Sequence, residues 1–89
     1  MEFIPYRGCN TLSLRQIDTL NGVPKGTTFR AFKHCAALRE DEDFFLVTAE
    51  ESPETVSAWR EAGLIYPASV SVVLLTEDGY RKLQTPPAD

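Results

Sequence analysis

The chain predicts an α+β fold in which a pair of short helices is backed by a small antiparallel sheet, and three stretches predict it. Residues 13 to 38 place apolar side chains at helical spacing on either side of an Asn-Gly and Pro/Gly turn. Phe44-Phe45-Leu46-Val47-Thr48 is built from the residue types that strands prefer. Val70 to Leu75 is apolar almost throughout, as a strand covered on both faces must be. With 89 residues and 43% hydrophobic content there is material for one core and not for two. A single domain over residues 1–84 with a disordered tail at 85–89 follows.

Taken in order, Phe3-Ile4-Pro5-Tyr6 suits an edge strand or an extended arm, because Pro5 has no N–H to give to a ladder. Arg7-Gly8-Cys9-Asn10 is turn-like. The first helix begins after Ser13, which with Gln16 three residues on forms the reciprocal capping pattern, and Leu14, Ile17 and Leu20 give it an apolar side. Asn21-Gly22 is a left-handed stop, and Pro24 with Gly26 keeps the connection from becoming helical. The second helix starts near Thr27 and runs to about residue 38. Its expected apolar side is Phe29, Phe32 and Ala36 with Cys35 at the edge, while Thr27, Arg30, His34 and, at the margin, Lys33 project from the other.

Glu40-Asp41-Glu42-Asp43 is expected as a solvated exit loop, since four acids are poorly placed at a helix C-terminus. After the strand at 44–48, Ser52-Pro53-Glu54 starts a helix with Ser as cap, Pro in the first turn and Glu at the positive end of the dipole. Val56 and Trp59 face the core, and Gly63 ends the helix. Leu64-Ile65-Tyr66-Pro67 crosses back to an inner strand at 70–75. Thr76 then caps a last helix reaching Leu83.

Pairing of strands 44–48 and 70–75 behind the helix pair gives a winged helix-turn-helix-like fold with a departure. The tip of the wing is replaced by residues 49–69 with a helix of their own, carrying Glu50, Glu51, Glu54 and Glu61 against Arg60. Carboxylates repel phosphate. Either this insertion points away from nucleic acid or the chain does not bind nucleic acid.

Charge divides along the chain. Residues 1 to 39 set Arg7, Arg15, Lys25, Arg30, Lys33 and Arg39 against Glu2 and Asp18, a balance of +4. Residues 40 to 89 set Arg60, Arg81 and Lys82 against eleven carboxylates, a balance of −8. The net −4 therefore conceals a basic half centred on the second helix. An enzyme is the least expected class: there is one His, no Gly-rich phosphate loop and no nucleophile motif. No cofactor or metal is expected either. His34 and Cys35 are neighbours on a helix, pointing about 100° apart, and do not converge on one ion. No apolar run approaches the roughly 20 residues that cross a bilayer, and the first residues lack the pattern of a secretory signal, so the expectation is a cytoplasmic protein without membrane contact.

Leu14-Arg15-Gln16-Ile17-Asp18 through Gly26-Thr27-Thr28-Phe29-Arg30-Ala31-Phe32-Lys33 resembles the helix-turn-helix of MerR-type and excisionase-type regulators, where a Gly and a Thr precede an aromatic- and Arg-bearing second helix. The chain is more similar still to the small N-terminal DNA-binding domains of phage antirepressor-type proteins. Those continue with an Asp-Phe-Phe strand and close on Leu-Thr-Glu-x-Gly-Tyr, matched by Asp43-Phe44-Phe45 and Leu75-Thr76-Glu77-Asp78-Gly79-Tyr80. The resemblance implies a bacterial, phage-related or mobile-element regulator that binds double-stranded DNA through the second helix. Arg30 and His34 are then expected at base edges, and Lys33, Lys25 and Arg15 at phosphates, with the Thr27 and Thr28 amides gripping another. A second copy of the chain or another protein is the further partner to expect, and no small-molecule substrate. The alternative is a protein-interaction module that uses its acidic half to bind a partner or mimic DNA charge.

Overall fold

A computed structural model describes residues 3–84, the side chain of Gln84 excepted. The tail expected at 85–89 lies outside the described residues. The elements are β1 (Ile4–Tyr6), β2 (Cys9–Ser13), α1 (Leu14–Asn21), α2 (Thr27–His34), β3 (Phe44–Thr48), α3 (Pro53–Glu61), β4 (Ser71–Leu75) and α4 (Glu77–Gln84). The strands form one curled antiparallel sheet in the order β1-β2-β4-β3. Among the described residues no helix is long and apolar enough to cross a membrane.

The turn expected over residues 7–10 is shorter than its sequence suggests. Arg7 and Gly8 both take positive φ, 51° and 78°, which is the two-residue hairpin turn whose twist matches the flanking strands. Tyr6 therefore pairs directly with Cys9, and Cys9-Asn10 become the first residues of β2, a strand that residue preferences did not announce. β2 continues into α1 without a loop. Ser13 is both the last strand residue and the helix cap: its hydroxyl accepts the Gln16 amide while the Gln16 side chain accepts the Ser13 amide.

β4 is an inner strand, in contact with β2 on one edge and with β3 on the other. Its side chains alternate between two apolar clusters. Val72 and Leu74 join Ile4, Phe45, Val47, Val56 and Ile65 beneath α3, with Tyr6 and Trp59 at the margin. Leu75 points the other way, to Leu12 and Ile17, where Leu14, Phe32, Phe44 and Tyr80 close the cluster. The strand is thus the wall between the helix pair α1–α2 and the α3 segment.

Several expectations need correction. α2 ends at His34 rather than near 38, because Cys35 is extended (ψ 100°) and the Arg39–Asp43 segment folds into its own turn, Asp43 accepting the Arg39 amide. Trp59, expected at the core, does border it, its ring centroid 6.2 Å from that of Tyr6. Ser52 stands at the start of α3 but makes no side-chain cap; Thr48 takes up that end of the chain instead, its hydroxyl accepting the Glu51 amide. The acidic run at 40–43 is not uniformly solvated. Asp43 is buried, its carboxylate receiving the Arg39 amide and the Lys82 ammonium, and its carbonyl accepts the Thr76 amide.

Candidate nucleic-acid interface

The pair of helices α1 and α2 is organised by Asp18, which is 2% exposed. Gly22 closes α1 in the left-handed conformation (φ 65°), and the Pro24 carbonyl accepts the Thr27 amide and hydroxyl, so the chain returns to α1 within a few residues. That return sets the start of α2 against the last turns of α1. The Asp18 carboxylate receives the Gly26 amide at 3.1 Å, the Thr28 amide at 2.8 Å and the Thr28 hydroxyl at 2.6 Å. A fourth donor, the Tyr66 hydroxyl, arrives from the insertion at 2.6 Å.

Burial by itself raises the Asp18 pKa, but the donors from Thr28, Tyr66 and Gly26 outweigh it and leave the carboxyl below its ordinary value. Burial and the bond to Asp18 push the Tyr66 phenol up to about 12. The pair shares a proton-rich contact at neutral pH: an ionised Asp18 accepting from a neutral Tyr66.

This arrangement decides which of the expected site residues face outward. Thr28 does not: it is buried, and its amide and hydroxyl are both turned to Asp18. The Thr27 amide is likewise taken by Pro24. Neither amide is open to a phosphate. Phe29, assigned to the core on spacing, is 45% exposed with the Lys33 ammonium 5.4 Å from its ring centroid. The buried positions of α2 are Thr28 and, in part, Phe32, one turn apart, which rotates the helix relative to the Phe29, Phe32, Ala36 face. Phe32 meets Phe44 edge to face at 4.9 Å.

The outward side of α2 therefore presents Phe29, Arg30, Lys33 and His34. It continues into Lys25 and Arg15, whose charged ends lie 5.0 and 5.6 Å from the centre of the Tyr66 ring. Arg15 also donates to the Ile65 carbonyl at 2.9 Å. The Arg30 guanidinium crosses the start of the helix, 3.6 Å from where a Cβ on Gly26 would stand. Arg15, Lys25, Arg30 and Lys33 are thus interleaved with two aromatic rings, and among the described residues none of the four makes an ion pair with a carboxylate. A groove of about 290 Å³ runs beside this track, between α1, the start of α2 and the segment returning from α3. His34 stands apart at the far end of α2, exposed.

No family model, curated protein or solved structure matches the chain.

The sequence held no local signal for Tyr66 or for the role of Asp18. Asp18 could be noticed as the one carboxylate between residues 3 and 39, but its donors are 8, 10 and 48 residues away, at the start of α2 and in the segment after α3. Its burial matters for charge as well as for shape. No exposed carboxylate remains among the described residues 3–39, and all six cations of that stretch are at least partly exposed.

Proposed function

We propose that the protein is a sequence-specific double-stranded DNA-binding domain, a regulator or excisionase-like factor of phage or mobile-element character, with α2 entering the major groove. The observation that carries this reading is the continuous track of Arg15, Lys25, Arg30 and Lys33, free of carboxylate partners because the single acid in its midst is buried beneath it. Bases are read by side chains at the edge of a helix seated in the groove, and the phosphates on either side are held by cations that carry no sequence information. Arg30, on the outward face of α2, is assigned to a base edge. Lys25, Lys33 and Arg15 are assigned to phosphates.

Fluorescence anisotropy on selected and scrambled duplexes tests the assignment. Engagement of phosphates by Lys25, Lys33 and Arg15 lowers affinity about fortyfold between about 50 and 200 mM salt through counterion release. Lys33→Ala is expected to weaken all duplexes alike and to flatten the salt slope by about one unit. Arg30→Ala is expected to cost about 1–3 kcal/mol on the selected site and much less on the scrambled one. Absence of binding to any duplex at 50 mM salt by the folded protein would remove the reading.

One observation favours the interaction-module alternative. Glu50, Glu51, Glu54 and Glu61 are all exposed and, among the described residues, none is in an ion pair; Arg60 beside them donates to the Ser69 carbonyl. A folded protein that fails to bind DNA but captures a basic partner in a salt-sensitive complex would support it.

A further inference from the structure

The insertion is acidic only in its first part. From Ala62 to Thr76 there is no carboxylate, and this neutral stretch is the part that returns to the helix-turn-helix. The Leu64 carbonyl accepts the Ser13 hydroxyl, the Ile65 carbonyl accepts Arg15, and the Tyr66 hydroxyl donates to Asp18. Three consecutive residues thus bond to the start and the body of α1.

The contact leaves an unusual distribution of charge. Arg15 comes from α1 and Lys25 from the turn before α2, and both stand over the same Tyr66 ring, at 5.6 and 5.0 Å. The π system attracts each cation, while the two like charges repel each other. A guanidinium has five N–H donors and the bond to Ile65 engages one nitrogen; the Lys25 ammonium makes no ion pair among the described residues. The nearest carboxylate, Asp18, already receives four donors. An anion seated between Arg15 and Lys25 would relieve the repulsion and meet donors that are still open. The groove here is lined by Arg15, Lys25, Phe29 and Tyr66, with Ser69 and Ser71 as neutral polar walls and Asp18, whose carboxylate is already saturated by donors, as its one acid.

We propose that Arg15, Lys25 and the ring of Tyr66 form an anion subsite, completed by the return segment of the insertion, that takes one phosphodiester of the DNA backbone. The proposal rests on the DNA-binding reading and extends it to a second element: the insertion adds to the interface through its neutral end, while its glutamates lie ahead of that end, Glu50 and Glu51 before α3 and Glu54 and Glu61 within it. Tyr66 is a positioning residue. It fixes the directions of two cations rather than donating to the phosphate, since its hydroxyl is committed to Asp18.

Two substitutions and one titration test this. Tyr66→Leu is expected to weaken selected and scrambled duplexes to the same extent and to flatten the salt slope by about one unit, whereas Tyr66→Phe, which keeps the ring, leaves the slope unchanged. A folded Tyr66→Leu protein with wild-type affinity and slope overturns the subsite. Because Tyr66→Leu also removes the bond to Asp18, a second measurement leaves the fold intact: inorganic pyrophosphate is titrated into the wild-type protein at constant ionic strength, with NMR shifts followed at the Tyr66 ring and the Lys25 amide. Saturable shifts that disappear in Lys25→Gln are expected, and shifts no larger than those given by chloride overturn the subsite. The two arms separate the possibilities. Duplex binding with a salt slope indifferent to Tyr66→Leu removes the subsite and leaves the DNA reading; saturable pyrophosphate shifts without duplex binding keep the subsite and remove the DNA reading.

Discussion

Asp18 is a residue whose single carboxylate stands between three parts of the chain, and its removal leaves donors from Gly26, Thr28 and Tyr66 without an acceptor in a dry site. Asp18→Ala is therefore expected to lower stability by about 1–3 kcal/mol, the cost of leaving buried neutral donors unsatisfied, and urea unfolding measures it. The same donors fix the pH dependence. For Asp18, burial raises the pKa but the Thr28 and Tyr66 donors outweigh it; for Asp43, burial also raises it and Lys82 with the Arg39 amide outweighs it; both carboxyls lie below the ordinary 3.8. A depressed carboxyl pKa stabilises the fold above the unfolded value and loses that contribution as pH falls through the folded one. Stability is expected to be level at neutral pH and to decline below about pH 4, with Asp43→Asn reducing the acid-sensitive part. Tyr66 has the opposite sign. Its phenol ionises near 12, so its contribution is complete below the ordinary 10.0 and disappears as pH rises toward 12; a spectrophotometric titration should lose its latest-ionising tyrosine in Tyr66→Phe.

At the scale of the elements, what could be read from the sequence was whatever is settled within a few residues. Ser13 and Gln16 cap α1 across three positions, Gly22 stops it, and Thr76 caps α4 by accepting the Gly79 amide, all local geometry written in residue type. The phase of α2 was not legible in the same way. Phe29, Phe32 and Ala36 have helical spacing, but Thr28 is drawn inward by Asp18, and a polar residue taking a buried position turns Phe29 out to solvent. Of the candidate site, the cations were legible from local charge, and Tyr66 was not, because its significance lies in contacts 48 residues distant. The corrected phase separates two substitutions that spacing alone treats as equivalent. Phe32→Ala, which removes the contact with Phe44, is expected to cost about 2–3 kcal/mol, somewhat under the usual range because the ring is only partly buried. Phe29→Ala is expected to change stability by less than about 1 kcal/mol and to show its effect in DNA affinity, which paired thermal melts and anisotropy distinguish. Gly79 offers a sharper case. A Cβ there would stand 1.9 Å from the Asp43 carbonyl oxygen, backbone against backbone, so Gly79→Ala is expected to cost about 3 kcal/mol or more and to lower Tm by roughly 10 °C or beyond.

For the molecule as a whole, β4 joins the two halves that the charge pattern separates. It gives Val72 and Leu74 to the cluster under α3 and Leu75 to the cluster under the helix pair, so the basic and acidic halves share one wall and cannot unfold independently without exposing it. Native-state hydrogen exchange should find the β4 amides among the slowest in the chain, exchanging through global opening. The Asp-Phe-Phe and Leu-Thr-Glu-Asp-Gly-Tyr stretches meet at this same place: Thr76 donates its amide to the Asp43 carbonyl, Lys82 pairs with the Asp43 carboxylate at 2.8 Å, and Gly79 permits the approach. The burial of Asp18 has one more consequence, at long range. With the only acid of residues 3–39 withdrawn from the surface, the cations of α1, α2 and the turn between them, all at least partly exposed, make a locally positive surface on a protein whose net charge is −4. If the protein binds DNA as proposed, a duplex would repel the net charge and attract that surface, orienting an approaching molecule before any atom touches, and salt that shortens the Debye length would weaken this orientation.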